Sequence, residues 1–374
     1  MRIGRTIGIL LVAFVAAAFV WLEAGSWRAS RRERAAVTAW EASFGPVGEL
    51  AARFPAHPTN ESARALVDAA TTLGVEMRPR SEQPDEDIHR RKKTDWDEVR
   101  APLEKWADVQ AAKAEGMPDP PPAPVAAFYA AHAAALDAVE KALLAGPAPE
   151  WAADVSKLHA APLPNLSGQM QLARVLVGRA EARAAAKDAH AEDSLRAAFA
   201  LTASLRGRSE NVSQLVSIAA TRLELAAARR IPVDAPAWRE RLKTLDPRAG
   251  VLGAWKREAW VQHEAAKRLR EGRLSGGPLT GRIAALLTSW RERVESAAYL
   301  DAWRVAIEAA AKSPVEDAET KAPGEAFAAA LTRGGARATP DTVPNLAASW
   351  RRANVLALEI RKTDELLAAR TPKG

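Results

Sequence analysis

Apolar positions recur at helical spacing along almost the whole chain, and one stretch breaks that rhythm by being apolar on every side. Residues Thr6 to Leu22 carry no charge and lie between Arg5 and Glu23. At ~1.5 Å per residue, such a run rises about 25 Å as a helix, just short of a ~30 Å hydrocarbon core. Trp21 and Trp27 fall where an interfacial aromatic belt would lie. Leu22-Glu23-Ala24 puts a bulky residue where a signal peptidase wants a small one. The run also lacks the polar face of an interfacial helix. The pattern therefore predicts a retained signal anchor, one transmembrane helix over residues 1–26.

Beyond it the periodicity is that of amphipathic helices. One continues to Phe44, with Val37, Trp40 and Phe44 on one face, and stops at Gly45-Pro46. The next follows the cap residues Thr59 and Asn60, repeats Ala63, Leu66, Val67, Ala70 and Leu73 at helical spacing, and closes at Gly74. Residues 75–94 read as a charged loop ending in Arg90-Arg91-Lys92-Lys93. Pro102 suits the first turn of a helix ended by Gly116, and 117–124 is a stiff Pro-rich connector. A stripe from Val125 through Phe128, His132, Leu136 and Val139 to Leu143 predicts one long helix. A short helix is expected around Trp151 to Leu158.

In the second half, helices are expected over 165–187, 192–206, 210–230, 235–245 and 248–271. A Gly-rich loop over 272–281 follows, then helices over 282–312, 325–333 and 345–370. Nothing reads as a strand. The fold expected is all-α: antiparallel helix hairpins in a bundle or a short α-solenoid-like array. The prolines at 162 and 164 divide the body into a membrane-proximal domain, 27–161, and a C-terminal domain, 162–374. Pro164-Asn165-Leu166 and Pro344-Asn345-Leu346 precede matching apolar positions, Ala173/Val175/Leu176 and Ala353/Val355/Leu356.

Charge adds little to this picture once it is located. Of the net +7, four charges fall within residues 1–34, where Arg2, Arg5, Arg28, Arg31, Arg32 and Arg34 face only Glu23 and Glu33. The excess is juxtamembrane, where Arg28, Arg31, Arg32 and Arg34 are candidate contacts for anionic headgroups. No basic stripe with interleaved aromatics runs along the body, so no nucleic-acid partner is expected. The absence of cysteine excludes disulfides, thiolate metal sites and cysteine nucleophiles.

The search for chemistry yields exclusions. His263-Glu264 begins a zincin-like pattern, but Lys267 stands where the second histidine would be needed. His132 is expected as a buried, hydrogen-bonded core residue, and the other histidines form no cluster with metal-ligand spacing. Gly276, Gly277 and Gly281 lack the Lys-Ser/Thr ending of a phosphate loop, and Ser167-Gly168 lacks the context of a nucleophile elbow. No catalytic residue, cofactor or metal is expected. Six of the twelve tryptophans lie beyond residue 230. Trp255 and Trp290 fit inward stripes; Trp260 is displaced from its helix's apolar face and is the candidate exposed aromatic for a partner protein.

Residues 163–262 resemble an uncharacterised group of bacterial membrane-anchored helical proteins. The resemblance runs from LPNLSGQMQLARVLVGRAEARAAAK through NVSQLVSIAATRLELAAARR to WRERLKTLDPRAG, and its most recognisable stretch is Ser209 to Arg222. It implies a helical body in the cell envelope and no known activity. The hairpin at 170–206 also resembles a tetratricopeptide unit, with a turn about two residues too long and no recurring period of about 34 residues. The flanking charge count favours a cytoplasmic body, whereas the resemblance implies an inner-membrane protein with its body in the periplasm. The function expected is an anchored, non-catalytic interaction or scaffolding module. The alternatives are an envelope enzyme whose site assembles only in three dimensions, or a binder of anionic lipid surfaces.

Overall fold

The structure, a computed structural model, describes residues 2–46, 54–79, 95–113, 116–276, 279–336 and 345–370, with Glu49 and Ala52; side chains are described only in part along 2–22 and 273–287. Its thirteen α-helices among these residues are α1 Arg2–Phe44, α2 Glu61–Thr71, α3 Asp95–Ala112, α4 Ala123–Ala131, α5 Ala133–Leu144, α6 Leu166–Ala185 and α7 Ala191–Arg206. They continue as α8 Asn211–Ala228, α9 Ala235–Lys243, α10 Pro247–Gly276, α11 Leu279–Lys312, α12 Ala322–Gly334 and α13 Leu346–Arg370. The β-type pairing described is an isolated bridge between His57 and Ala153. The fold is all-α. Among the described residues no helix is long and apolar enough to cross a membrane; most side chains of the Thr6–Leu22 run lie outside the described ones.

The helices form two compact units, which group the chain differently from the expected division at 161/162. The first comprises Met1–Arg53, Trp255–Ser313 and Thr320–Ala347. Here α1 packs on α11 and α11 on α12. Contacts fix the directions. Trp21 meets Trp290 edge-on, with ring centroids 6.1 Å apart, and Ser43 donates to Glu308 at 2.8 Å, so α1 runs parallel to α11. Glu33 pairs with Arg270 and Phe44 with Lys256, so α1 runs antiparallel to α10. The result is a four-helix bundle whose core stacks Trp255, Trp303 and Phe327, with Trp303 Nε1 donating to Gln262 at 3.0 Å. Gly334 is required by this packing, since a Cβ there would lie 2.4 Å from the Ala298 methyl.

The second unit comprises Phe54–Ala254, Pro314–Glu319 and Ala348–Gly374. Its centre is α6, twelve of whose residues are buried, packed against α3, α7 and α8. Asn60 caps α2 as expected, accepting from Ala63 N at 2.8 Å, and also holds the 148–150 loop through Ala148 O and Glu150 N. Gly74 closes α2 with φ +74, a left-handed residue that lets Val75 N reach Ala70 O. Asn165 caps α6 through Gly168 N. The α6–α7 turn closes the same way, with Lys187 N on Ala184 O and Asp188 N on Arg183 O, but puts a lysine at φ +60.

Several expected boundaries move. Helix α3 starts at Asp95, so Pro102 is interior, because Trp96 and Val99 extend the buried stripe of Leu103 and Trp106 upstream of it. The long 125–143 helix breaks at His132, whose φ of −107 lies outside helical geometry. The expected loop at 75–94 begins as an extended segment burying Val75, Met77 and Pro79; Arg90 to Lys93 lie outside the described residues. The short helix near Trp151 is a 3₁₀ turn at Val155–Ala160. Most of the Gly-rich loop is helical: α10 runs to Gly276 and α11 resumes at Leu279.

Candidate functional site

The polar chemistry of the second unit lies inside the helix packing. Glu140 of α5 is nearly closed off and accepts from Ser194 at 2.6 Å and Arg183 at 2.9 Å, while Arg179 reaches it at 3.0 Å. Arg183 and Arg179 also contact Asp137, so three helices are cross-linked by charge-assisted bonds. Glu224 of α8 is fully buried; burial pushes its carboxyl above the usual range, partly offset by Arg206 and by the Thr202 hydroxyl that donates to it. Arg206 lies 3.8 Å over the Phe199 ring.

A third node is built by Arg208, which donates to the carbonyls of Trp151 and Pro162 at 3.0 Å and grips Glu210 with two bonds of 2.9 Å. Gln214 caps the end of α7, its amide donating to the carbonyls of Arg206 and Arg208. Of this node, Glu210 and Gln214 fall within the stretch Ser209 to Arg222. The node's polar residues tie α7, α8 and the 151–162 loop together.

A surface concavity with converging arginines lies between α3, α6, α8 and α13. It is a groove of about 320 Å³ with Ala111, Met170, Ala219, Leu223 and Ala226 along its apolar walls. Arg174, Arg222 and Arg229 line it, together with Glu359. Arg222 holds Glu359 with bonds of 2.8 and 3.1 Å, and Arg174 holds Glu104 at 2.6 Å. Arg229 donates to Thr363 at 3.1 Å; burial lowers its pKa, opposed by Glu359 and reinforced by Arg222.

Beside the groove lies a recess of about 10 Å³ that shares Ala111, Arg174, Leu223 and Ala226 with it and reaches Glu181 and Arg230. The Arg230 and Glu181 side chains are each 1% exposed and in contact. Burial pushes the Arg230 guanidinium down to about 10. Its Nε and Nη1 meet no hydrogen-bond partner.

The residues singled out from sequence are placed as follows. Arg28, Arg31, Arg32 and Arg34 are exposed along α1, with Arg31 4.8 Å over the Trp27 ring. Trp260 is 5% exposed, which corrects the expectation of a free aromatic surface: Trp255, Ala259, Trp260 and Val261 are all buried, so α10 is covered on more than one side. Trp290 is half-buried against Trp21. His132 is not fully buried; it stacks on Phe128 at 4.6 Å and faces the exposed Asp95 at 3.2 Å.

His263 lies 3.0 Å from the Ser296 hydroxyl, and burial holds its pKa below 6.5. The nearby Glu33 carboxylate is bound by Arg270 at 2.5 Å and approached by Arg293 at 3.7 Å. A serine–histidine–carboxylate relay would need that carboxylate on the imidazole instead. Among the described residues no group of three or more histidines or acids could hold a metal ion.

Charged groups at inward helix positions were the readable signal for these nodes. Glu224 falls on the stripe of Ala220 and Ala228, and Glu181 on that of Val177 and Ala184. Comparison with protein-family models, curated proteins and solved structures gives no match.

Proposed function

We propose that this chain is a membrane-anchored helical interaction module. Residues 1–26 hold it at the bilayer as a single-pass anchor, Arg28, Arg31, Arg32 and Arg34 meet the headgroups, and the helical body binds a protein partner without catalysing a reaction. The observation that carries the reading is at the head of α1. Within the uncharged run, Phe14 and Val20 are 72% and 67% exposed, whereas Ala29 and Trp40 of the same helix are buried in the bundle. Large apolar side chains facing outward along an uncharged stretch are what a hydrocarbon phase would cover. The ionisable groups of the body support a non-catalytic role, since they are engaged with one another across helix interfaces. The resemblance to bacterial membrane-anchored proteins favours the inner membrane with a periplasmic body.

The test is fractionation of the full chain from a bacterial host. The parent is expected in the membrane pellet after a carbonate wash, and Val12→Arg combined with Val15→Arg in the supernatant. A parent chain that washes off would overturn the anchor. An alkaline phosphatase fused after Gly374 is expected to be active, and an inactive fusion would place the body on the other side. Cross-linking in mild detergent that repeatedly recovers no protein would overturn the interaction role.

A further inference from the structure

We propose that the groove between α3, α6, α8 and α13 is a binding site for a small organic anion, an apolar body ending in a carboxylate or phosphate. Its volume of about 320 Å³ is at the small end of the ~300–1,000 Å³ typical of ligand clefts. Its apolar walls, with Met170 and Leu223 as the larger side chains, suit a hydrocarbon or aromatic body.

The charge balance selects the other end. Arg222 and Arg229 share one described carboxylate, Glu359, so the groove carries an excess positive charge where both guanidiniums face the same space. An anionic oxygen meeting these forks makes the bidentate contact arginine favours. Arg230 is the second, independent observation. It is buried more than nine-tenths, lines the recess beside the groove, and keeps two donor nitrogens without a partner. Buried donors are normally satisfied, and a recess of about 10 Å³ holds one water-sized group, here an anionic oxygen of the ligand or a water bridging to it. Gln169 and Asn354 also bury unpartnered amide atoms, but neither lines the groove or the recess. The inference is independent of the anchor.

The experiment uses the full chain in mild detergent and ¹⁹F NMR of three soluble probes: 4-fluorophenylacetate, 4-fluorophenyl phosphate and the neutral 4-fluorobenzyl alcohol. At least one anionic probe is expected to broaden saturably while the alcohol does not, and which one broadens identifies the head group. Arg222→Ala is expected to weaken binding at least ten-fold. Its side chain is half exposed, so its removal leaves the fold intact by circular dichroism. Met170→Trp, which fills the groove, is expected to abolish binding, and Arg361→Ala, an exposed arginine paired with Glu316 away from the groove, to leave it unchanged. Equal binding of the alcohol, no binding of either anion, or equal effects of Arg222→Ala and Arg361→Ala would each overturn the proposal.

Discussion

The buried pair Arg230–Glu181 makes the sharpest prediction about stability. Burial lowers the Arg230 pKa to about 10, a penalty of about 3 kcal/mol on the charged form at ~1.4 kcal/mol per unit. At neutral pH the guanidinium nevertheless stays protonated, and Glu181 is its described counter-charge. Glu181→Gln keeps the shape and removes that charge. Stripping one partner from a buried pair typically costs ~3–5 kcal/mol, because the remaining ion cannot be solvated. Against a total stability of ~5–15 kcal/mol, that is a large fraction.

Urea unfolding of the full chain in mild detergent, followed by far-UV circular dichroism, should show the midpoint falling with little change in slope. The double variant Glu181→Leu/Arg230→Met removes both charges and should return to within about 1 kcal/mol of the parent, or exceed it. The reasoning fails if Glu181→Gln costs less than about 1 kcal/mol. It fails equally if the double variant loses as much as Glu181→Leu and Arg230→Met measured singly and added together, since the coupling would then be absent.

Three further outcomes follow from local geometry. Lys187 occupies a left-handed position at a cost of ~1–2 kcal/mol, and glycine there gives back ~0.5–1 kcal/mol in chain entropy, so Lys187→Gly should stabilise by about 0.5–1 kcal/mol in the same urea assay. A Cβ on Gly168 would lie 2.0 Å from the Glu76 carbonyl oxygen and 3.1 Å from Met77 Sδ; because the backbone itself must move, Gly168→Ala should lower stability by about 2–3 kcal/mol, and an unchanged thermal midpoint would refute the close approach. His263 is held below 6.5 by burial, with Glu33 from α1, Ser296 from α11, and Glu264, Lys267 and Arg270 from its own helix around it. The unfolded chain therefore takes up the proton first, stability falls as pH drops below about 6.5, and His263→Gln should flatten that slope in urea midpoints measured between about pH 5 and 7.

How much of this was legible in the sequence depended on which force set each feature. Asn60, Gly74 and Asn165 act within a few residues of themselves, and their caps and turns were readable. Where packing overrides local preference, the reading moved. Pro102 sits inside α3 because the buried Trp96 and Val99 extend the stripe past it, and Gly272 to Gly276 remain helical. Trp260 was misread because a single-stripe rule assumes one packed face, whereas α10 is covered on several. The groove was not legible at all. Ala111, Arg174, Arg222 and Glu359 lie on four helices, and periodicity says which face of a helix turns inward but not which helix will meet it.

The two ends of α8 use their polar residues differently. From Glu210 to Gln214, α8 uses its polar residues locally: Glu210 holds Arg208 two residues away, and Gln214 caps the helix that ends at Arg206. Such short-range links leave a pattern that reads in sequence, yet they spend every donor they use. Two turns on, α8 presents Arg222 and Arg229, and just past its end comes Arg230, to partners far away in the chain: Glu359, Thr363 and Glu181. There the account does not close, because two guanidiniums share one carboxylate and a buried third keeps two donors unspent. Groups paired with near neighbours, as at Glu210 and Gln214, need no ligand. A helix end that buries excess positive charge beside a groove gains stability from an anion, and that difference locates where this protein would take one.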